Sequence, residues 1–255
     1  MSNTVRLLVF GTTGTGKTSL CNTLTGELRP ISDSAKGVTF EHYLYKPFAF
    51  DAKLCVLIDT IGLNESDHGT VPAKDALKAL VSLLKDSKDG YNLLIHVMRI
   101  PRITQSEQSN YEFFIKLVAD SKIPAILVAT GCENINPMSQ WGTDNAKVFE
   151  NMGLKYKDIV CTCFASNGRF SFDELRDESR TAVYNAISTH ATEEPILIYS
   201  TDNGLLQVLK KCWNWLVSQA GFTEWKVGIN KVVRELLIRL GFKVEDAEKE
   251  AENWK

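Results

Sequence analysis

Gly11-Thr12-Thr13-Gly14-Thr15-Gly16-Lys17-Thr18 reads GxxxxGK[ST], directly after the apolar run 5–10 and directly before the helix-like stretch 19–25. A strand that ends in a glycine-rich turn and then opens a helix aims successive backbone N–H groups, and the positive end of the helix, at one point. Such a point suits a polyphosphate. The glycines let the backbone close around the oxygens with no Cβ in the way, Lys17 is long enough to reach β and γ phosphates, and Thr18 offers a hydroxyl to Mg²⁺. Thr13, Gly14, Thr15, Gly16, Lys17, Thr18 and Ser19 are therefore the expected phosphate-binding residues.

On the C-terminal side of this loop, apolar runs of strand length alternate with helix-length periodic segments, the pattern of βα units and a mostly parallel sheet. Strands are expected at 6–10, 42–50, 54–58, 93–98, 125–129 and 159–164, and helices at 17–25, 73–84, 105–121, 144–151 and 172–190. Segments 42–50 and 54–58 are close enough to form a hairpin, which makes the sheet mixed. The expected fold is α/β: a P-loop NTPase domain with a mostly parallel six-stranded sheet flanked by helices. Glu193-Glu194-Pro195 closes it, so residues 1–195 form the nucleotide-binding domain and 196–255 a C-terminal amphipathic helical extension. In that extension Leu205, Leu209, Trp213 and Leu216 share one helical face, and Trp225, Ile229, Val232 and Leu236 another. Val208, Trp215 and Ile238 fall off these stripes as apolar surface for a partner, and 243–255 reads as a solvated or frayed helix.

The chain has 255 residues, 44% hydrophobic and 24% charged, enough for one α/β domain with an extension. A formal charge of −2 and a pI near 6.1 give no basic field for a phosphodiester backbone, which argues against nucleic acid as a partner. No apolar stretch approaches the roughly 20 residues needed to span a bilayer, and Met1-Ser2-Asn3-Thr4 leads into the first strand without a signal-peptide pattern. A cytoplasmic location is expected. Lys210, Lys211, Lys226, Lys231, Arg234 and Arg239 could dress the last helices for an anionic membrane, but interspersed acidic residues disfavour that use. The six cysteines are scattered without CxxC pairs and read as reduced core thiols. The four histidines form no metal pattern, and His96 reads as a satisfied core histidine.

A phosphate loop alone fits a GTPase, an ATPase or a nucleotide kinase, so later motifs must separate them. Asp59-Thr60-Ile61-Gly62 follows a strand, where Asp59 can hold Mg²⁺ through water and the Gly62 N–H can meet the γ-phosphate. Thr39, in Lys36-Gly37-Val38-Thr39, can bring its hydroxyl to the same metal and phosphate. After 125–129 comes Thr130-Gly131-Cys132-Glu133, where a guanine-specific protein usually carries Asn-Lys-x-Asp. The Glu133 carboxylate can accept from guanine N1–H and N2–H₂, groups that adenine does not present in that pattern. The lysine stem that normally covers the base is missing, because Gly131 stands there. Ser166 and Asn167, in Phe164-Ala165-Ser166-Asn167, can add a backbone N–H near guanine O6 and a further polar contact.

The order of these pieces is that of a translation-factor-related GTPase. Met98-Arg99-Ile100-Pro101-Arg102-Ile103-Thr104-Gln105-Ser106-Glu107-Gln108 resembles the Arg-Phe-Thr box of the AIG1-type, immunity-associated GTPases, and Asp59-Thr60-Ile61-Gly62-Leu63 resembles their DTPGL. The threonine-initial base motif and Gly37-Val38-Thr39 resemble the same family, in the divergent form found in fungal G-domain proteins; the likeness covers roughly residues 5 to 190. It implies a Mg²⁺-dependent G domain that binds GTP and GDP and forms a homodimer across the nucleotide face, with catalytic groups supplied in trans. It makes Arg102 the candidate arginine finger, against a plain surface role. Leu63 stands where many small GTPases carry the glutamine that orients water, so hydrolysis is expected to be slow. The expected catalytic set is Lys17, Thr39, Gly62 and Arg102, and the metal set Thr18, Thr39 and Asp59. Thr130, Glu133, Ser166 and Asn167 make up the expected base site. A nucleotide-dependent scaffold with negligible turnover, and a P-loop ATPase or kinase, stay open as alternatives.

Overall fold

Four consecutive fully buried residues, Leu7 to Phe10, mark β1 (Thr4–Phe10) as a strand covered on both faces. The computed structural model describes residues 4–29, 42–60, 73–165, 172–219, 229–252 and 254. After β1 come β2 (His42–Leu44), β3 (Phe48–Phe50), β4 (Lys53–Thr60), β5 (Leu93–Arg99), β6 (Ala125–Thr130) and β7 (Ile159–Thr162). They form one sheet of order β2-β4-β1-β5-β6-β7, with β3 also paired to β4. β4, β1, β5, β6 and β7 are parallel, while β2 and β3 run antiparallel to β4, so the sheet is mixed as expected.

Among the described residues it has seven strands and not six, because the expected strand 42–50 is broken. Tyr45 still donates its N–H to Leu57 O at 3.0 Å, but the Lys46 N–H goes to Glu27 Oε1 at 2.6 Å. Pro47 has no N–H to give, so the ladder stops there.

Side chains alternate across the strands and split the core in two. Val5, Leu7 and Val9 pack under α1 (Lys17–Thr25) and α5 (Asp173–His190), through Leu20, Leu24, Val183 and Ile187. Leu8 and Phe10 face α2 (Ala73–Asp86) and α3 (Gln105–Tyr111), with α4 (Gln140–Asn151) at the edge of the same cluster. The expected helix 105–121 does not stay α-helical. Past Tyr111 it becomes a π-helical stretch, Glu112–Val118, in which the Ala119 N–H reaches Phe114 O at 3.1 Å. The wider turn buries Phe113, Phe114 and Ile115 in succession, with Phe114 on Phe10 at 4.6 Å and Phe113 on Trp215 at 5.2 Å between ring centroids.

The last segment is fastened to the sheet where Ile196 and Tyr91 exchange backbone hydrogen bonds of 2.9 and 3.1 Å. It then forms α6 (Asp202–Gln219), α7 (Ile229–Arg239) and α8 (Val244–Glu252). One expectation is corrected here and another refined. Val208, Trp215 and Ile238 are not left as surface for a partner, because they pack against the same core as Phe10 and Phe113. The tail is a helix with most of its residues open to solvent, as expected, but it is docked along one side and not free: Ala247, Ala251 and Trp254 are buried, and the Trp254 ring lies 6.0 Å from that of Trp213.

Candidate functional site

The phosphate loop is set by backbone geometry that tolerates few residues. Gly11 has φ +145°, and a Cβ there would lie 2.1 Å from Val97 O, so the chain leaving β1 passes against β5 with no room for a side chain. Gly16, at φ +97°, opens α1 with no side-chain cap, which leaves the first-turn N–H groups facing the loop. Thr13 and Gly14 are exposed, and Thr18 and Ser19 half-buried. Lys17 is 7% exposed and donates from Nζ to Gly11 O at 2.7 Å and Thr12 O at 2.8 Å, folding its ammonium back onto the loop.

Two buried side chains hold the loop from outside. The Thr130 hydroxyl, at the end of β6, donates to Thr15 O at 2.6 Å, and the Thr130 methyl fills the space beside Gly16. Thr130, expected among the nucleotide contacts, is thus 3% exposed and acts on the loop backbone. From α3, Glu107 accepts the Thr12 hydroxyl at 2.6 Å through Oε1 and engages His96 Nε2 at 2.7 Å through Oε2. His96 Nδ1 meets the Tyr156 hydroxyl at 2.7 Å, so both ring nitrogens are satisfied, as the sequence reading expected. Burial pushes the Glu107 carboxyl up, but the hydrogen bond and charge of His96, then the Thr12 hydroxyl and Lys17, outweigh it and hold it below the usual carboxylate range. Sequence reasoning passed over Glu107. Its signal was Thr104-x-x-Glu107: Thr104 caps α3 by accepting the Glu107 N–H at 3.3 Å, and the freed carboxylate turns to the loop.

Asp59 lies near the end of β4, opposite Val9 of β1 and Tyr43 of β2, and is 2% exposed. The Thr60 hydroxyl pins this end to Val9 O at 3.1 Å. The Arg29 guanidinium stands 3.9 Å from Asp59 Oδ2 and 4.1 Å above the Tyr43 ring, a neighbour that sequence spacing gave no reason to expect. Thr18 and Asp59 offer hydroxyl and carboxylate oxygen only, a hard donor set that fits Mg²⁺. Thr39, Gly62, Ser166 and Asn167, and with them Leu63, lie outside the described residues.

The base motif follows β6 as a turn tied to the next strand. The Cys132 N–H donates to Thr162 O at 3.1 Å, and the Ile135 N–H closes the turn on Cys132 O at 3.0 Å. Gly131 has φ +86°, and Glu133 is half-buried and, among the described residues, in no ion pair. Arg102 is exposed between β5 and α3, at the C-terminal end of the strands where the phosphate loop also sits. All six cysteines are buried free thiols.

This arrangement defines the class: an α/β fold of the P-loop GTPase G-domain type, followed by C-terminal helices. Residues 6–131, from β1 to the glycine after β6, match the family model described as "50S ribosome-binding GTPase". Among solved structures, the chain is similar in fold to a tyrosine-to-alanine variant of Aquifex aeolicus Era bound to GDP·AlF₄⁻, with a TM-score of 0.52 and 17% identity. The match covers 78% of this chain and 60% of that one. No curated protein is significantly similar in sequence. Among the described residues, no helix is long and apolar enough to cross a membrane.

Proposed function

We propose that the protein is a Mg²⁺-dependent GTP-binding protein of the AIG1 type that hydrolyses GTP slowly to GDP and phosphate, as a nucleotide-dependent homodimer. The observation that carries the guanine reading is Glu133. It is a half-buried carboxylate in no ion pair among the described residues, on a turn built from the strand whose Thr130 grips the phosphate loop. A carboxylate so placed accepts both edge donors of guanine and repels the acceptor edge of adenine. Residues 1–195 make the G domain in this reading and 196–255 its helical extension, which is read as packing structure and not as a membrane anchor. Buried free thiols suit a reducing compartment, here the cytoplasm.

The reaction is phosphoryl transfer to water. Lys17 and the first-turn N–H groups of α1 stabilise charge on the phosphates, and Thr18 and Asp59 hold the metal, with Thr39 and Gly62 completing the γ-phosphate contacts. Mg²⁺ held by Thr18 and Asp59 would supply positive charge that neutralises the phosphate oxygens. Leu63 cannot hydrogen-bond the attacking water, so a monomer turns over slowly. The exposed Arg102 is free to reach a second subunit across the nucleotide face, where an arginine finger is worth about 10³-fold or more in rate.

Calorimetry with GTP, GDP and ATP tests the guanine reading, which fails if ATP binds as tightly as GTP. The dimer reading is tested by specific activity over a wide range of protein concentration, with sedimentation in GTP and in GDP. Activity should rise with concentration, and Arg102→Ala should bind GTP normally yet hydrolyse it about 10³-fold more slowly. A flat profile from a GTP-bound monomer would exclude catalysis in trans, and absent turnover in a GTP-dependent dimer would favour a scaffold.

A further inference from the structure

Arg99 is the last residue of β5, exposed, and stands opposite Thr130 in the β5–β6 register. Its side chain lies across Gly131. A Cβ placed on Gly131 would be 3.6 Å from Arg99 Cγ, 3.6 Å from its guanidinium carbon and 3.6 Å from Ile100 Cγ1. These are ordinary contact separations, so the space where a side chain at the second position of the base motif would begin is already lined by arginine. The left-handed backbone of Gly131 disfavours any other residue there. Among the described residues the Arg99 guanidinium has neither a hydrogen bond nor an ion pair, although it lies against Gly131, two residues before Glu133 in the chain, and Arg99 stands opposite the loop-gripping Thr130.

A planar, weakly hydrated cation held over that turn is a stacking surface for a flat heterocycle. We infer that Arg99, delivered from the neighbouring strand, replaces the missing lysine stem and covers the face of the purine. The inference rests on the guanine-nucleotide reading above and divides its labour. Glu133 reads the edge of the base and sets the preference for guanine, while Arg99 covers the face and sets affinity for any purine.

The experiment is a calorimetric titration of the full chain and its Arg99→Ala variant with GDP, ADP and pyrophosphate in the same Mg²⁺ buffer, with circular dichroism confirming that the variant is folded. Arg99→Ala should weaken GDP about tenfold, leave the ratio of GDP to ADP affinity unchanged, and leave pyrophosphate untouched. Equal losses for GDP and pyrophosphate would make Arg99 a charge acting on the phosphates, and no loss for GDP would remove it from the site. Both outcomes overturn the inference while leaving the guanine reading in place. If the unmodified protein binds pyrophosphate but not GDP, the guanine reading itself falls, and the role of Arg99 with it.

Discussion

The phosphate end and the base end of the site are built on opposite principles. At the phosphate end the proposed contacts are backbone N–H groups and the Lys17 ammonium, and buried side chains brace the loop from behind: Thr130 on Thr15 O and Glu107 on Thr12, with Lys17 itself folded onto Gly11 and Thr12 O. At the proposed base end the backbone is a platform, a turn fixed by the Cys132 N–H on Thr162 O, and the proposed recognition falls to half-buried or exposed side chains. A backbone cradle cannot change without losing its glycines. A side-chain site can lose its lysine and, in the Arg99 proposal, recover the contact from another strand.

The sharpest way to break this contrast is Lys17→Ala. It removes the charge at the centre of the cradle but no core packing, so GTP affinity should fall by about a hundredfold or more while circular dichroism stays unchanged. Near-normal binding of a fluorescent GTP analogue would show that the cradle is not where the phosphates sit.

Glu133→Ala acts at the other end, and its effect should be smaller and different in kind. Guanine loses its shared acceptor at a cost of about 2 kcal/mol, and the preference for GTP over ATP disappears. Competition between the two nucleotides reads this out. An unchanged preference would move the discriminating group elsewhere.

The smallest effect is expected behind the cradle. Glu107→Gln breaks the charged link between Thr12 and His96 and should cost about 1–2 kcal/mol of stability at neutral pH. Because the folded-state pKa of Glu107 is depressed, its contribution is complete above the usual value of 4.5 and is lost as pH falls through the lower folded value. Urea midpoints for the two proteins should therefore converge below about pH 4.5 and stay apart above it. A constant gap across that range would mean that the carboxylate charge is not what ties α3 to the loop.

The same division governs what could be read in advance. The phosphate loop, the βα alternation and the mixed hairpin were visible because each depends on local spacing: glycines at fixed offsets, apolar period, short connections. The missing lysine at Gly131 was equally plain. What was not visible was Arg99, because its place over Gly131 comes from the β5–β6 register, and Arg29, because its approach to Asp59 crosses from the end of α1 to β4. Glu107 lay between these cases, marked locally by its cap but aimed at Thr12 only by the fold.

The C-terminal helices make the point for packing. Their apolar stripes were legible, since helical period is a property of the chain alone. That Trp215 would rest on Phe113, and Trp254 on Trp213, was not, because burial off the stripe depends on which surfaces the sheet, the π-helical turn and α8 bring together. Sequence by itself determined the elements, the cradle and the chemistry on offer, all set within a few residues of each other. Tertiary structure alone decided which distant side chains complete the site and which apolar residues become core, because contacts between residues tens of positions apart exist only once the strands are in register.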